Sequence, residues 1–318
     1  MTYEDRVGVR TEALAKRFGD VVALDGVDLD VPAGSVLGLL GHNGAGKTTM
    51  LRILTTLSAP TSGRAWVGGH DVVADPAAVR ARIGLAGQAA TVDDLLSARK
   101  NLEMIGRLYH LPIADVRTRT RELLERVDLA GEADRLVKTF SGGMRRRLDL
   151  AAALFAKPAV LFMDEPTTGL DPHARNELWA LLREHVRGGA TLVLTTQYLD
   201  EADRLADDIV VLDHGRVVAR GTPSELKQRY GGERIVVNVA DAAALTIARG
   251  ALAVFASNGD IDVDGTQLAV AARAGTRLVE VVRALDAAGI EAVDVRRRDP
   301  TLDDVFLSLT SITKQAAA

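Results

Sequence analysis

Cysteine is absent from this chain of 318 residues, and aromatic residues make up only 4% of it. Without cysteine the chain can form neither disulfides nor thiolate metal sites. Long hydrophobic runs are also missing: Val36–Leu40 and Ala159–Met163 are far shorter than the roughly 20 residues that a membrane helix needs. We therefore expect that the chain does not span a membrane alone. The net charge of −4 provides no overall basic field, which argues against nucleic acid as a partner.

Strand-like and helix-like segments alternate up to about residue 220, which predicts an α/β domain with a mostly parallel sheet. Helices are predicted at Gly46–Leu57 and Pro172–Val186. Between Asp93 and Arg135, leucine, isoleucine and valine recur at helical spacing with no intervening strand, which predicts a mostly helical insert. Three short runs that are apolar on both faces are predicted as buried strands: Ser35–Leu40, Ala159–Met163 and Thr191–Thr195.

A second boundary is predicted at Tyr230-Gly231-Gly232. The segments after it read strand, helix, strand, strand, helix, strand, with a hairpin turn at Asp264-Gly265 and a last helix at Leu302–Leu309. This βαββαβ order is typical of a ferredoxin-like unit. We predict one domain over residues 1–230, with a helical subdomain at about 93–157, and a small α+β domain over residues 231–318.

A phosphate-binding loop is predicted at residues 41–48, which fit the pattern G-x-x-x-x-G-K-[ST] between a strand and a helix. Glycines let backbone N–H groups converge on phosphate oxygens, and the helix N-terminus adds its positive end. We expect Lys47 to reach the β- and γ-phosphates and the Thr48 hydroxyl to ligate Mg²⁺. Contacts with ATP are expected along the whole loop: Gly41, His42, Asn43, Gly44, Ala45, Gly46, Lys47, Thr48 and Thr49.

Asp164 and Glu165 follow the buried strand Ala159–Met163. A carboxylate at a strand end is well placed to hold Mg²⁺ from the second shell, and we assign this role to Asp164. Glu165 would then polarise the attacking water as a general base. Alone the two could be an ordinary surface acidic pair, but beside a phosphate loop they indicate a second half of the site.

Residues 141–147 read Ser-Gly-Gly-Met-Arg-Arg-Arg and resemble the SGGQ signature of ABC ATPases, with Met144 in place of the usual glutamine. In that family the signature closes over ATP held by the other subunit's phosphate loop. Because methionine cannot make the hydrogen bonds of an amide, the signature must work through Ser141 and the backbone of Gly142 and Gly143. We expect the three arginines to face solvent or the neighbouring subunit.

The resemblance extends to four further positions. Gln88 fits the loop that senses the γ-phosphate and contributes to the Mg²⁺ site, and Asp171 fits the D-loop. Gln197 stands where the family usually has a switch histidine; it can hydrogen-bond the γ-phosphate but cannot carry a positive charge. Phe18 fits the aromatic residue that stacks on adenine, although an ordinary core phenylalanine stays open.

The segments at 140–149, 194–203 and 301–310 are similar to the ATPases of daunorubicin/doxorubicin-resistance exporters. This resemblance implies a P-loop ABC ATPase fold with an N-terminal β subdomain. It also implies a homodimer at the cytoplasmic face of the membrane, paired with a separate permease that exports hydrophobic drugs or lipids. In the family the helical insert docks on the permease; the candidate contacts are Leu95, Leu96, Met104 and Leu108.

Two other classes stay open: a soluble ABC protein acting on DNA or ribosomes, and a P-loop kinase of small metabolites. The first usually needs a coiled-coil insertion or two nucleotide domains in one chain, and the second has no use for a signature. The sequence assigns no function to the histidine at position 42 and no metal site to the histidines. His42 occupies a position where proline is usual, and the six histidines show no metal-ligand spacing.

Overall fold

The computed structural model describes residues 7–87, 92–231, 233–273 and 275–316. The chain divides into two compact units, Met1–Pro223 and Ser224–Ala318. This division falls seven residues before the boundary proposed from the sequence, because most of the helix Pro223–Tyr230 groups with the second unit. Among the described residues, no helix combines the length and apolar character required to cross a membrane.

The described residues of the first unit form ten strands: β1 (Val7–Phe18), β2 (Val21–Pro32), β3 (Val36–Leu40), β4 (Ser62–Val67), β5 (His70–Asp71), β6 (Ile83–Ala86), β7 (Val160–Asp164), β8 (Thr191–Thr195), β9 (Asp208–Asp213) and β10 (Arg216–Gly221). Its helices are α1 (Lys47–Leu54), α2 (Pro76–Arg80), α3 (Ala98–Leu108), α4 (Ile113–Arg126), α5 (Gly142–Ala153), α6 (Pro172–Arg187) and α7 (Leu199–Leu205), and α8 (Pro223–Tyr230) crosses into the second unit.

A six-stranded sheet in the order β10-β9-β3-β8-β7-β6 forms the centre of the first unit. Its strands run parallel except for β10, which pairs antiparallel with β9 at one edge. The predicted buried strands are confirmed, since β3 and β8 are buried along their whole length. Successive residues of β7 enter different cores: Phe162 packs with α1, whereas Met163 packs with the helical region. The sheet is therefore covered on both faces, which explains its continuous apolar runs.

A separate four-stranded antiparallel sheet, in the order β2-β1-β4-β5, precedes and flanks the phosphate-loop region. Helices α3, α4 and α5 occupy the predicted helical region. Leu102, Leu123 and Leu124 are buried there in one core with Phe155, as the helical spacing predicted. Leu95 and Leu108 occur at the same helical spacing, but their exposed fractions are 73% and 71%. Periodicity alone thus could not separate core positions from an exposed apolar surface.

The second unit has its own sheet and core. Its elements are β11 (Arg234–Val239), α9 (Leu245–Leu252), β12 (Ala256–Asp264), β13 (Gln267–Ala272), α10 (Leu278–Ala287), β14 (Ala292–Arg298) and α11 (Leu302–Ala316). The sheet order β12-β13-β11-β14 is antiparallel throughout, and the βαββαβ order predicted from the sequence is confirmed. Residues of β11, α9 and α10 supply a core that includes Ile235, Leu252 and Leu285.

Candidate functional site

The phosphate loop joins β3 to α1 and presents backbone and side chains at the end of the sheet. Gly46, which caps α1, has φ 109°, and a Cβ there would lie 2.5 Å from the Ala23 carbonyl oxygen. Only glycine fits this conformation and this close approach. Asn43 and Thr48 are exposed, so this side of the loop is accessible to a ligand. The unpaired N–H groups at the start of α1 provide the anion-binding end of a helix.

The ammonium group of Lys47 lies against the loop itself. Its Nζ donates to the carbonyl oxygens of Gly41 at 2.6 Å and His42 at 3.1 Å. Burial lowers the pKa of Lys47, while the negative charges of Glu165 and Asp164 raise it. The group therefore sits where a charged ammonium is costly unless anions surround it. Phosphate oxygens are such anions, and they can replace the two carbonyl contacts.

Asp164 lies at the end of β7 and faces the loop. Its Oδ2 is 3.4 Å from the Thr48 hydroxyl, and its Oδ1 accepts a hydrogen bond from Thr195 Oγ1 at 2.5 Å. The parallel register of β7 and β8 pairs Asp164 directly with Thr195. The structure thus brings a hydroxyl and a carboxylate oxygen together where the sequence predicts a Mg²⁺ site. Oxygen atoms of this kind are the ligands that Mg²⁺ prefers.

Glu165 adopts a left-handed backbone with φ 50°, which is uncommon for a residue with a side chain and costs about 1–3 kcal/mol. Its N–H bonds to Thr195, at 3.0 Å to the carbonyl and 3.1 Å to the hydroxyl. Its carboxylate accepts from Gln197 Nε2 at 2.7 Å and lies 3.4 Å from Thr168 Oγ1. The structure therefore brings the proposed base and the proposed switch residue into direct contact.

Arg146 was expected to face solvent or a neighbouring subunit, and that interpretation is wrong for this residue. Its guanidinium donates to three backbone carbonyls: Gly87 at 2.7 Å, Glu165 at 2.7 Å and Pro166 at 2.8 Å. It thereby joins the helix of the signature to the loop after β6 and to the strained turn after β7. Arg145 and Arg147 instead pair with acidic groups of the helical region, Asp94 and Asp128 respectively.

The signature and the D-loop each cap a helix. Ser141 Oγ accepts from Met144 N at 3.2 Å at the start of α5, and Gly142 and Gly143 form the first turn. Asp171 caps α6 and accepts from Ala174 N at 2.9 Å, and this hydrogen bond lowers the pKa of Asp171. The glycines at the start of α5 leave their N–H groups available for an anion.

Phe18 and Gln88 are the two remaining residues that the sequence assigns to the site. Phe18 ends β1 with 54% of its surface exposed, and the Lys16 ammonium lies 4.9 Å from its ring centroid. It is not a core phenylalanine, and stacking on adenine stays a prediction for its exposed ring. Gln88 lies outside the described residues, although the preceding Gly87 is held by Arg146.

Sequence reasoning missed Thr195 and Glu201 as well as Arg146. Thr195 lies two residues before Gln197, at the end of a predicted strand, so its place beside Asp164 followed from parallel pairing of the two strands. Glu201 is buried on α7 and accepts a hydrogen bond from Trp179 Nε1 at 3.0 Å. Burial raises the pKa of Glu201. Because Glu201 lies among other acidic residues in the segment 199–203, the sequence gives no indication that its side chain is buried.

Two family models match the chain. One described as "ABC transporter" matches residues 24–168, which include the phosphate loop, the signature and the acidic pair. A second, described as "ATP-binding protein DrrA1-3-like, C-terminal domain", matches residues 221–310.

Similar proteins extend over nearly the whole chain. It is 54% identical to the daunorubicin resistance ATP-binding protein DrrA3 of Streptomyces coeruleorubidus, over 95% of each chain. It is 44% identical to the doxorubicin resistance ATP-binding protein DrrA of Mycobacterium tuberculosis, over 96% of this chain and 95% of the relative. Among solved structures, a dimeric ATP-binding cassette in a post-hydrolysis state bound to ADP and Pi is similar, with a TM-score of 0.62 and 27% identity. That match covers 67% of this chain and 98% of the other.

Proposed function

Because this chain belongs to the ABC transporter family, in the group of daunorubicin/doxorubicin resistance ATP-binding proteins, we propose that two copies dimerise around two ATP molecules and drive export through a separate membrane permease. The chain hydrolyses ATP as the ATP-binding subunit of a drug exporter. The proposed cargo is a hydrophobic drug-like compound or lipid, and the proposed place is the cytoplasmic face of the membrane. The observation that supports this mechanism best is the contact of Gln197 with Glu165 beside the phosphate loop.

ATP binding is proposed to begin with exchange of contacts around Lys47. The ammonium leaves the carbonyls of Gly41 and His42 and pairs with β- and γ-phosphate oxygens, while loop N–H groups bind the same phosphates. Phe18 stacks on adenine. Thr48 and Asp164 would hold Mg²⁺, together with Gln88. When bound, Mg²⁺ neutralises charge on the β- and γ-phosphates.

Hydrolysis is proposed to use Glu165 as the general base. A water held against its carboxylate loses a proton to it as the water oxygen bonds to the γ-phosphorus. The bond from the γ-phosphorus to the bridging oxygen then breaks and leaves ADP. The Gln197 amide fixes the orientation of this carboxylate at 2.7 Å and can also reach the γ-phosphate.

Dimerisation is proposed because one chain carries each half of the site once. Ser141 and the glycines after it cap a helix of their own, while Lys47 and Thr48 lie at the phosphate loop. In the dimer the signature of one copy closes over ATP on the other, near Asp171. ATP therefore stabilises the closed dimer to the extent that it binds the closed dimer more tightly than the open subunits. Hydrolysis of ATP removes this stabilisation.

Coupling to the permease is proposed to use the exposed apolar residues of the helical region. Leu95, Met104 and Leu108 are exposed at the ends and outer side of α3, and Leu96 is half-buried. Exposed apolar side chains on one segment are candidates for contact with a partner protein. The region lies between the Gln88 loop and the signature, so a change at either nucleotide contact can move it.

Reconstitution in vesicles with a candidate permease that co-purifies with this chain tests the proposal. We expect vesicles with both proteins to accumulate daunorubicin only when ATP is supplied. Met104→Glu should keep basal ATP hydrolysis and lose stimulation by the permease. Val73→Glu, at an exposed apolar position away from α3, is the matched control and should keep that stimulation. ATPase activity without any ATP-dependent transport, or full stimulation of Met104→Glu, would contradict the proposal.

A further inference from the structure

His42 of the phosphate loop lies within hydrogen-bond distance of two acceptor oxygens. Its Nδ1 lies 2.6 Å from the Asn43 carbonyl oxygen, and its Nε2 lies 2.8 Å from Asp213 Oδ1. A carbonyl oxygen and an ionised carboxylate only accept hydrogen bonds. When Nδ1 carries the imidazole proton and donates it to the Asn43 carbonyl, the Nε2 lone pair faces the Asp213 carboxylate. A cation between Nε2 and the carboxylate satisfies both groups.

A second histidine completes a set of three ligands. His214 Nε2 lies 3.8 Å from the same Asp213 oxygen, and the ligand atoms of the three residues lie within 4.8 Å of one another. The two imidazole rings have centroids 5.2 Å apart at 60°. Donors around a tetrahedral zinc ion are about 3.3 Å apart, given bonds of about 2.0–2.1 Å. The distances of 2.8 and 3.8 Å bracket that spacing, and the exposed His214 side chain is able to rotate inward.

The backbone holds these ligands in place. His214 and Gly215 form the turn between β9 and β10, with φ 46° and 78°. Gly215 N donates to the Ala45 carbonyl at 3.0 Å, and a Cβ on Gly215 would lie 2.8 Å from the Ala23 carbonyl oxygen. The hairpin turn is therefore hydrogen-bonded to the phosphate loop in the absence of a ligand, so the site is preorganised.

We propose that His42, Asp213 and His214 bind a divalent transition-metal ion of the zinc class. Two imidazoles and one carboxylate suit zinc, nickel or copper, whereas Mg²⁺ prefers oxygen ligands alone. The site is thus distinct from the Mg²⁺ position proposed at Thr48 and Asp164. With a metal ion on Nε2, the ring proton of His42 lies on Nδ1, 2.6 Å from the Asn43 carbonyl oxygen, and a backbone carbonyl is a usual outer-shell partner of a metal-bound histidine. The ion would tie the phosphate loop to the β9–β10 turn.

The test is calorimetric titration of the chelator-treated, nucleotide-free protein with Zn²⁺, because ATP itself binds metal ions. We expect one Zn²⁺ per chain, in the presence of excess Mg²⁺. His214→Ala should weaken binding at least about tenfold, since loss of even an outer-shell partner costs 10- to 100-fold. The exposed His214 side chain makes this variant safe for folding.

His173→Ala is the matched control. His173 is also exposed and lies 3.5 Å from Glu177, but no third ligand completes that pair among the described residues. This variant should bind Zn²⁺ like the parent. Absence of Zn²⁺ binding by the parent would overturn the proposal and leave a direct hydrogen bond between His42 and Asp213. Equal affinity of parent and His214→Ala, or equal weakening by His173→Ala, would overturn it as well. The outcome is independent of the proposed export function, because it needs neither ATP nor permease.

Discussion

Replacement of Arg146 by lysine tests whether the position of Glu165 depends on the hydrogen bonds that Arg146 of α5 donates to the turn after β7. Arg146 makes three charge-assisted hydrogen bonds to carbonyls, at 2.7, 2.7 and 2.8 Å. Lysine keeps the charge but lacks the planar group that reaches three acceptors at once. At least one of the bonds to Gly87, Glu165 and Pro166 should therefore be lost.

The magnitude follows from two features of the turn. A hydrogen bond to a charged group contributes about 1.5–3 kcal/mol. The left-handed conformation of Glu165 costs a similar amount, about 1–3 kcal/mol, so the turn is able to relax once its support weakens. A displacement of about 1 Å in a reacting group lowers a rate by about 100-fold. We expect kcat for ATP hydrolysis in Arg146→Lys to fall by about 10- to 100-fold.

The assay is steady-state ATP hydrolysis with nucleotide affinity measured in parallel. Because Lys47 and the loop are unchanged, the affinity for ATP should stay within about twofold, so the loss appears in kcat rather than in binding. Arg147→Lys is the matched control, because the neighbouring Arg147 contacts Asp128 and the carbonyl of Val127, away from the site. Parental kcat in Arg146→Lys, or an equal loss in Arg147→Lys, would refute the positioning role.

Three further changes have defined outcomes. Gln197→Ala should hydrolyse ATP more slowly than Gln197→His, because histidine restores a hydrogen bond to the γ-phosphate; equal rates in parent and alanine variant would make Gln197 structural. Glu201→Gln should stabilise the fold at pH 8, because it removes a buried negative charge. Burial raises the pKa of Glu201 in the folded protein, so the parent loses stability as the pH rises from the unfolded-state pKa to the folded-state pKa. The difference in stability between parent and variant should vanish at a pH well below both pKa values. A variant that is less stable than the parent in thermal unfolding at pH 8 would refute this. Truncation after Tyr230 should leave a folded ATP-binding unit with weaker dimerisation or permease assembly, whereas insoluble protein would show one shared core.

Much of the fold could be predicted because its signals are local. Short runs that are apolar on both faces, such as Val36–Leu40, are typical of buried strands between two layers, and their length favours a strand over a helix. In the second unit, the turn at Asp264-Gly265 divided two strands that would otherwise read as one. The helical region was predicted as helical, but its exposed residues were not, since Leu102 and Leu108 have the same spacing and opposite burial.

The site was predictable where chemistry demands a residue type at a fixed spacing. Thr48 and Asp164 lie together because β3, which leads into the phosphate loop, and β7, which ends at Asp164, are parallel strands of one sheet with only β8 between them. The contacts of Arg146 and His42 were not predictable, since both depend on turns distant in sequence. Arg146 reaches carbonyls 19 to 59 residues away, and His42 meets Asp213 across 171 residues. Only the folded chain brings such groups together.

The most direct test of the mechanism is ATP turnover and assembly of Glu165→Gln. Glutamine keeps the shape of the side chain and its acceptor oxygen for Gln197, but it cannot accept a proton from water. We predict that ATP binds as in the parent, that turnover falls by about 10²–10³-fold, and that the dimer persists with ATP on size-exclusion chromatography. ATP hydrolysis at the parental rate by this variant would contradict the assignment of Glu165 as the base.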